Sequence, residues 1–154
     1  MKIKSIDGVL FKFEIKGYEF PLIKNGIDSN WLKLNVQIHG RGINLNETDP
    51  CIQSSELNDL IRWLMRLMLG KLEPNQFWEP VEGNFTFEYG GKKENVFLLR
   101  IYPRDNFSVG LNPFSLEFLY TDKEISKLIQ SLIKFQRKYP VRDELNTLPP
   151  HLPD

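Results

Sequence analysis

Thr48-Asp49-Pro50-Cys51, running into Ser54-Ser55-Glu56-Leu57-Asn58-Asp59-Leu60-Ile61-Arg62-Trp63-Leu64-Met65-Arg66-Leu67-Met68-Leu69-Gly70-Lys71, is the stretch whose reading decides the architecture. Asp49-Pro50 breaks the chain, because proline fixes φ and brings no amide hydrogen. Ser54 or Ser55 is placed to accept hydrogen bonds from the orphan amides of a first helical turn. Leu57, Leu60, Ile61, Leu64, Leu67 and Met68 then recur at helical spacing and form one apolar face. Gly70 supplies the left-handed residue that closes a helix, and Lys71 complements the negative end of the dipole. The segment is predicted to be an amphipathic helix that lies on a sheet. It carries no group fit for catalysis.

Strand patterns flank it. Val9 to Lys16 alternates apolar and polar, and Gly17-Tyr18-Glu19-Phe20-Pro21 ends the run. After the turn-rich Lys24 to Ser29, Trp31 to Ile38 places Leu32, Leu34, Val36 and Ile38 on one face, and Gly40-Arg41-Gly42 reads as a hairpin into Ile43 to Asn46. Beyond the helix, Glu73-Pro74-Asn75 and Glu79-Pro80 punctuate a short connector. Asn84 to Tyr89 alternates, Gly90-Gly91-Lys92-Lys93 reads as a hairpin turn, and Asn95 to Tyr102 is apolar on both faces, hence central in the sheet. Phe114, Leu116, Phe118 and Tyr120 alternate once more. Thr121-Asp122-Lys123-Glu124 is a capping box that opens a second helix, with Ile125, Leu128, Ile129, Leu132 and Ile133 on one face and a stop at Tyr139-Pro140. The expected architecture is α+β: an antiparallel sheet or sandwich with two amphipathic helices packed on it, in one domain over residues 1–140. Residues 141–154, with Pro149, Pro150 and Pro153, are expected to form a loosely docked tail.

Twenty acidic and twenty basic side chains cancel over the 154 residues, a balance that argues against a direct nucleic-acid binder. Cys51 is the single cysteine, so no intramolecular disulfide and no multi-thiolate zinc site is expected. It reads as a buried filler, although the nearby helix N-terminus is a setting that lowers a thiol pKa. The first residues lack a long apolar segment, and no apolar run approaches the roughly 20 residues that cross a bilayer. The expected location is the cytoplasm, away from membranes.

The residues that carry chemistry are scattered. His39 and His151 do not make a triad or a metal site, and Gly40-Arg41-Gly42 lacks the sequence of a phosphate-binding loop. Glu56 and Asp59 fall in a first helical turn, where they complement the dipole. Glu79 and Glu82 sit in the connector as a recognition edge. Arg62 and Arg66, four apart, share the outward face of the first helix with Trp63 on its flank, and these residue types often anchor interfaces. The candidate contact set is therefore Glu79, Glu82, Arg62, Trp63 and Arg66, with Trp63 filling a partner's pocket and the charges fixing register. No catalytic residue, metal or cofactor is expected.

The series Asn30-Trp31-Leu32, Thr48-Asp49-Pro50-Cys51, Leu57 to Leu64 with Gly70-Lys71, Phe77-Trp78-Glu79-Pro80, Phe85-Thr86-Phe87, Leu99-Arg100-Ile101-Tyr102 and a last helix ending near Phe135 and Tyr139-Pro140 resembles the WapI-type immunity protein family of bacteria, over about residues 1 to 142. The resemblance implies a cytoplasmic antitoxin whose partner is the C-terminal toxic domain of a secreted, cell-wall-associated contact-dependent toxin, a tRNA-cleaving nuclease in the type member. It implies no enzymatic residues. The neutral net charge departs from the acidity of many nuclease inhibitors. The alternative is a small-molecule-binding or regulatory module without catalytic activity.

Overall fold

The alternating stretches pair into two antiparallel sheets. A computed structural model describes residues 1–23, 25–104, 107 and 115–142, apart from the side chain of Ile27. The first sheet has the order β1 (Lys2–Lys4), β2 (Leu10–Tyr18), β3 (Trp31–Gly40), β4 (Ile43–Gln53). The second has the order β5 (Phe77–Trp78), β6 (Phe85–Lys93), β7 (Val96–Pro103), β8 (Leu116–Thr121). Helix α1 (Ser54–Met68) stands between the sheets in sequence and α2 (Asp122–Lys138) follows the second. This is the expected α+β class with two helices. The short strands β1 and β5 went unread, because two or three residues show no period.

Both sheets and both helices contribute to a single core cluster. Phe13 of β2 meets Phe85 of β6 edge-on at 6.0 Å and Phe135 of α2 at 6.3 Å. Trp78, Phe85 and Phe87 contact one another with centroids 5.7 to 6.0 Å apart, pairs that add about 0.5–1.5 kcal/mol each beyond buried area. α1 and α2 pack on each other. The edges of the two sheets are tied where the Ile6 amide donates to Glu117 O at 2.8 Å.

Several local expectations are corrected. Pro50 does not break the chain: β4 runs through it, opposite Lys33. β4 is an edge strand, where proline's missing donor costs no ladder bond. A bulge there turns both Cys51 and Ile52 inward. The N-cap of α1 is Gln53, neither Ser54 nor Ser55: the Gln53 amide donates to Glu56 Oε2 at 2.7 Å, while Ser54 Oγ donates to Asn30 O at 3.1 Å. Gly90-Gly91 is a bulge inside β6, and the hairpin turns at Glu94-Asn95, with Glu94 at φ +55°. A side chain at Gly90 would meet Leu98 Cδ2 at 2.8 Å. β7 is central as expected, but it buries only one face (Phe97, Leu99, Ile101, Pro103).

The predicted C-terminus of α1 and both predicted ends of α2 hold. Gly70, at φ +65°, closes α1 in a Schellman motif: its amide donates to Leu67 O at 3.0 Å and that of Lys71 to Arg66 O at 2.9 Å. Thr121 and Glu124 form the capping box of α2. Phe114 and residues 143–154 of the tail lie outside the described residues. Of the tail's first two residues, Arg142 is held by several hydrogen bonds.

Candidate protein-interaction surface

The connector from Leu69 to Asn84 is short of regular structure yet tied to the fold at several points. Its start is the Schellman turn. Asn75, at φ +69°, donates its amide to Tyr89 O at 2.6 Å, and the Tyr89 amide donates to Gln76 O at 2.9 Å. Phe77 and Trp78 then pair with Glu88 and Phe87. Strand alternation sends Trp78 into the core and leaves Phe77 59% exposed. Further on, the Val81 amide donates to Glu56 Oε1 at 2.5 Å, and Asn84 Nδ2 donates to Asp49 Oδ2 at 3.2 Å.

Glu56 therefore does more than complement the helix dipole. Its two oxygens accept from Gln53 and Val81, so one carboxylate joins the start of α1 to the connector. Burial pushes its pKa up. The two backbone hydrogen bonds oppose that rise, while Asp59 and Glu82 add to it. Cys51 lies close by, fully buried. Burial raises its thiol pKa strongly, reinforced by Asp49, Glu56 and Glu82, as suits the buried filler expected from the sequence rather than a thiol activated by the helix N-terminus.

Three open clefts follow the connector. Trp63, Arg66, Leu72, Asn75, Gln76 and Phe77 line one of about 330 Å³. Phe77, Glu79, Thr86, Glu88, Tyr102 and Arg104 line the next, of about 450 Å³. Glu82 lies in a third, of about 280 Å³, with Glu19, Phe20, Asp28, Trp31 and Pro50. Phe77 thus joins Trp63 and Arg66 on one side to Glu79 on the other, whereas Glu82 stands apart and Arg62 lines none of the three.

The five candidate residues are placed as follows. Arg62 is exposed and pairs with Asp59 at 3.4 Å. Arg66, also exposed, donates to Lys71 O at 3.3 Å and so supports the helix end. Glu79 accepts from Thr86 Oγ1 at 3.0 Å, with Arg104 Nη1 4.0 Å away. Glu82 is exposed, with no ion pair among the described residues. Trp63 is only 6% exposed: its indole fills the protein's own interior and walls the first cleft, which corrects the expectation of an anchor for a partner's pocket. Sequence reasoning missed Phe77 and Val81, the latter 78% exposed, as contact residues. It also missed Phe20, Leu22 and Ile23, whose signal was three apolar residues in a stretch rich in turn formers.

Among the described residues no group of three or more His, Cys, Asp or Glu is placed to hold a metal ion, and no helix is long and apolar enough to cross a membrane. Arg100 sits between Glu88 at 2.8 Å and Glu117 at 2.9 Å across three strands, an arrangement that reads as sheet support. The three clefts along the connector are open surfaces that a partner can contact.

A family model described as the Immunity protein WapI-like family matches residues 2–140. The chain belongs to that family. The match covers all eight strands and both helices, so the whole immunity-protein fold is the unit to which the surfaces above belong. No curated protein and no solved structure matches the chain.

Proposed function

We propose that this protein is a cytoplasmic inhibitor that binds and sterically blocks the C-terminal toxic domain of a secreted, cell-wall-associated toxin, with ribonuclease the first toxic activity to assay. The observation that carries the reading is the match to an immunity-protein family over residues 2–140. The surface agrees with it. Exposed Phe77 and Val81, with charged Arg62, Arg66, Glu79 and Glu82, are carried on helix α1 and on a connector tied down by hydrogen bonds at Asn75, Gln76, Val81 and Gly83. Such a preorganised surface loses little freedom on binding, and its charges steer association.

The test is co-expression with the C-terminal toxic domain of a secreted toxin encoded beside this chain, scored for a stable 1:1 complex and for rescue of growth. A complex with rescue supports the reading. A folded protein that neither binds nor rescues refutes it.

A further inference from the structure

The loop between β2 and β3 turns apolar side chains to solvent: Leu22 is 92% exposed, Ile23 44% and Phe20 40%. Single exposed leucines are ordinary, but three large apolar residues within four positions of one loop are not. Nor is the loop slack. Arg142, more than a hundred residues further on, sets its guanidinium among the loop's carbonyls. Nη1 donates to Phe20 O at 3.0 Å, Ile23 O at 2.5 Å and Ser29 O at 3.3 Å, and Nη2 to Pro21 O at 3.4 Å. Its other side lies 3.4 Å over the Tyr18 ring. Asn30 grips the Arg142 backbone from both ends, accepting from its amide at 2.7 Å and donating to its carbonyl at 3.2 Å.

The backbone carbonyls are thus gathered inward on one fork, and the apolar side chains are left outside. Ordering a loop costs conformational entropy. Here the cost is met within the chain before any partner arrives, the condition under which a contact loop binds tightly.

The surroundings give the partner's sign. Phe20 lines a cleft with Trp31 and Pro50, rimmed by Glu19, Asp28 and Glu82. Glu19 is paired with Lys33 at 3.1 Å, whereas Asp28 and Glu82 have no ion pair among the described residues. Arg142 is turned to carbonyls.

We propose that the docking face centres on the Phe20–Ile23 loop and the cleft beside it, which meets the connector surface at Glu82, and that its occupant is a protein surface with an apolar patch bordered by lysine or arginine. This rests on the immunity reading above, in which the occupant belongs to the toxic domain.

The experiment measures binding of that toxic domain to the full chain and its variants, with hydrogen exchange of the free protein alongside. Leu22→Asp alters an exposed side chain, so it leaves the melting temperature unchanged and weakens binding at least 100-fold. Glu82→Lys slows association about tenfold at low salt and less at high salt. Arg142→Ala speeds exchange of the loop amides at residues 23 and 29 and weakens binding. Arg142→Lys does not restore it, because an ammonium lacks the planar fork. A chain ending at Arg142 binds like the whole. A wild-type complex matched by Leu22→Asp overturns this proposal and leaves the immunity reading standing. Loss of binding on truncation at Arg142, with Leu22→Asp unaffected, moves the face to residues 143–154 and also overturns it. Equal amide exchange in wild type and Arg142→Ala removes the preorganised loop without reference to any partner. Absence of any wild-type complex refutes the immunity reading itself.

Discussion

Replacing Glu56 by alanine removes the carboxylate that fastens α1 to the connector. Two backbone donors lose their acceptor, Gln53 at 2.7 Å and Val81 at 2.5 Å. Hydrogen bonds to a charged group contribute about 1.5–3 kcal/mol each. Against that stands the cost of holding an ionised carboxylate that is only 8% exposed, the cause of its raised pKa. The Val81 amide, on an exposed residue, also finds water once released. The net loss is about 2 kcal/mol, near the upper end for a helix cap. For a chain of 154 residues that lowers the melting temperature by roughly 4–8 °C. Calorimetry at neutral pH reads this directly, and a decrease below about 1 °C would refute the clamp.

A second reading tests its electrostatics. The folded pKa of Glu56 is raised above the ordinary 4.5, so the native state keeps its proton longer than the unfolded chain does. As pH rises from below 4.5 through the raised value, the native state gains a costly charge and this group's contribution to stability falls. Alanine does not titrate. The gap between wild type and variant is therefore widest in acid and narrows toward neutrality. A gap that widened with pH would sink the account.

Thr121→Ala removes the side-chain half of the α2 cap and costs about 1 kcal/mol, measurable by urea titration. Hydrogen bonds from the Thr121 amide and hydroxyl hold the Glu124 pKa below 4.5. That contribution is complete above 4.5 and lost as pH falls through the lowered value, so the gap between wild type and Thr121→Ala shrinks in acid; a gap independent of pH contradicts the cap geometry. Cys51, buried and with its thiol pKa pushed up, resists a thiol reagent at pH 8 until urea unfolds the chain. Rapid stoichiometric labelling of the native protein would be the contrary result.

Much of this fold is legible in the sequence because its elements bury one face each. Alternation in Val9 to Lys16 and Trp31 to Ile38, and the helical stripes from Leu57 and from Ile125, follow from burial alone. What misleads is local chemistry that the fold overrules. Pro50 reads as a break but sits on an edge strand that needs no amide there. Gly90-Gly91 has the composition of a turn, yet it serves a bulge, and Glu94 takes the positive φ. Trp63 lies off the stripe of α1 but is covered by the connector. The contact surface was half legible: Arg62, Arg66, Glu79 and Glu82 were named from their charge and place, whereas the exposed apolar residues Phe20, Leu22, Ile23 and Phe77 carry no periodic signal. The Arg142 clamp was invisible, since no sequence pattern announces a contact spanning 119 residues.

That span has a consequence for synthesis. A ribosome delivers Phe20–Ile23 first, and the arginine that fixes them follows 119 to 122 residues later. Until then the loop hangs from β2 without its fastener, and a product cut short before residue 142 never acquires it. The loop is set only once Arg142 has been made, so fragments that stop before it, which would otherwise occupy a partner without covering it, are left without the shape that recognises one.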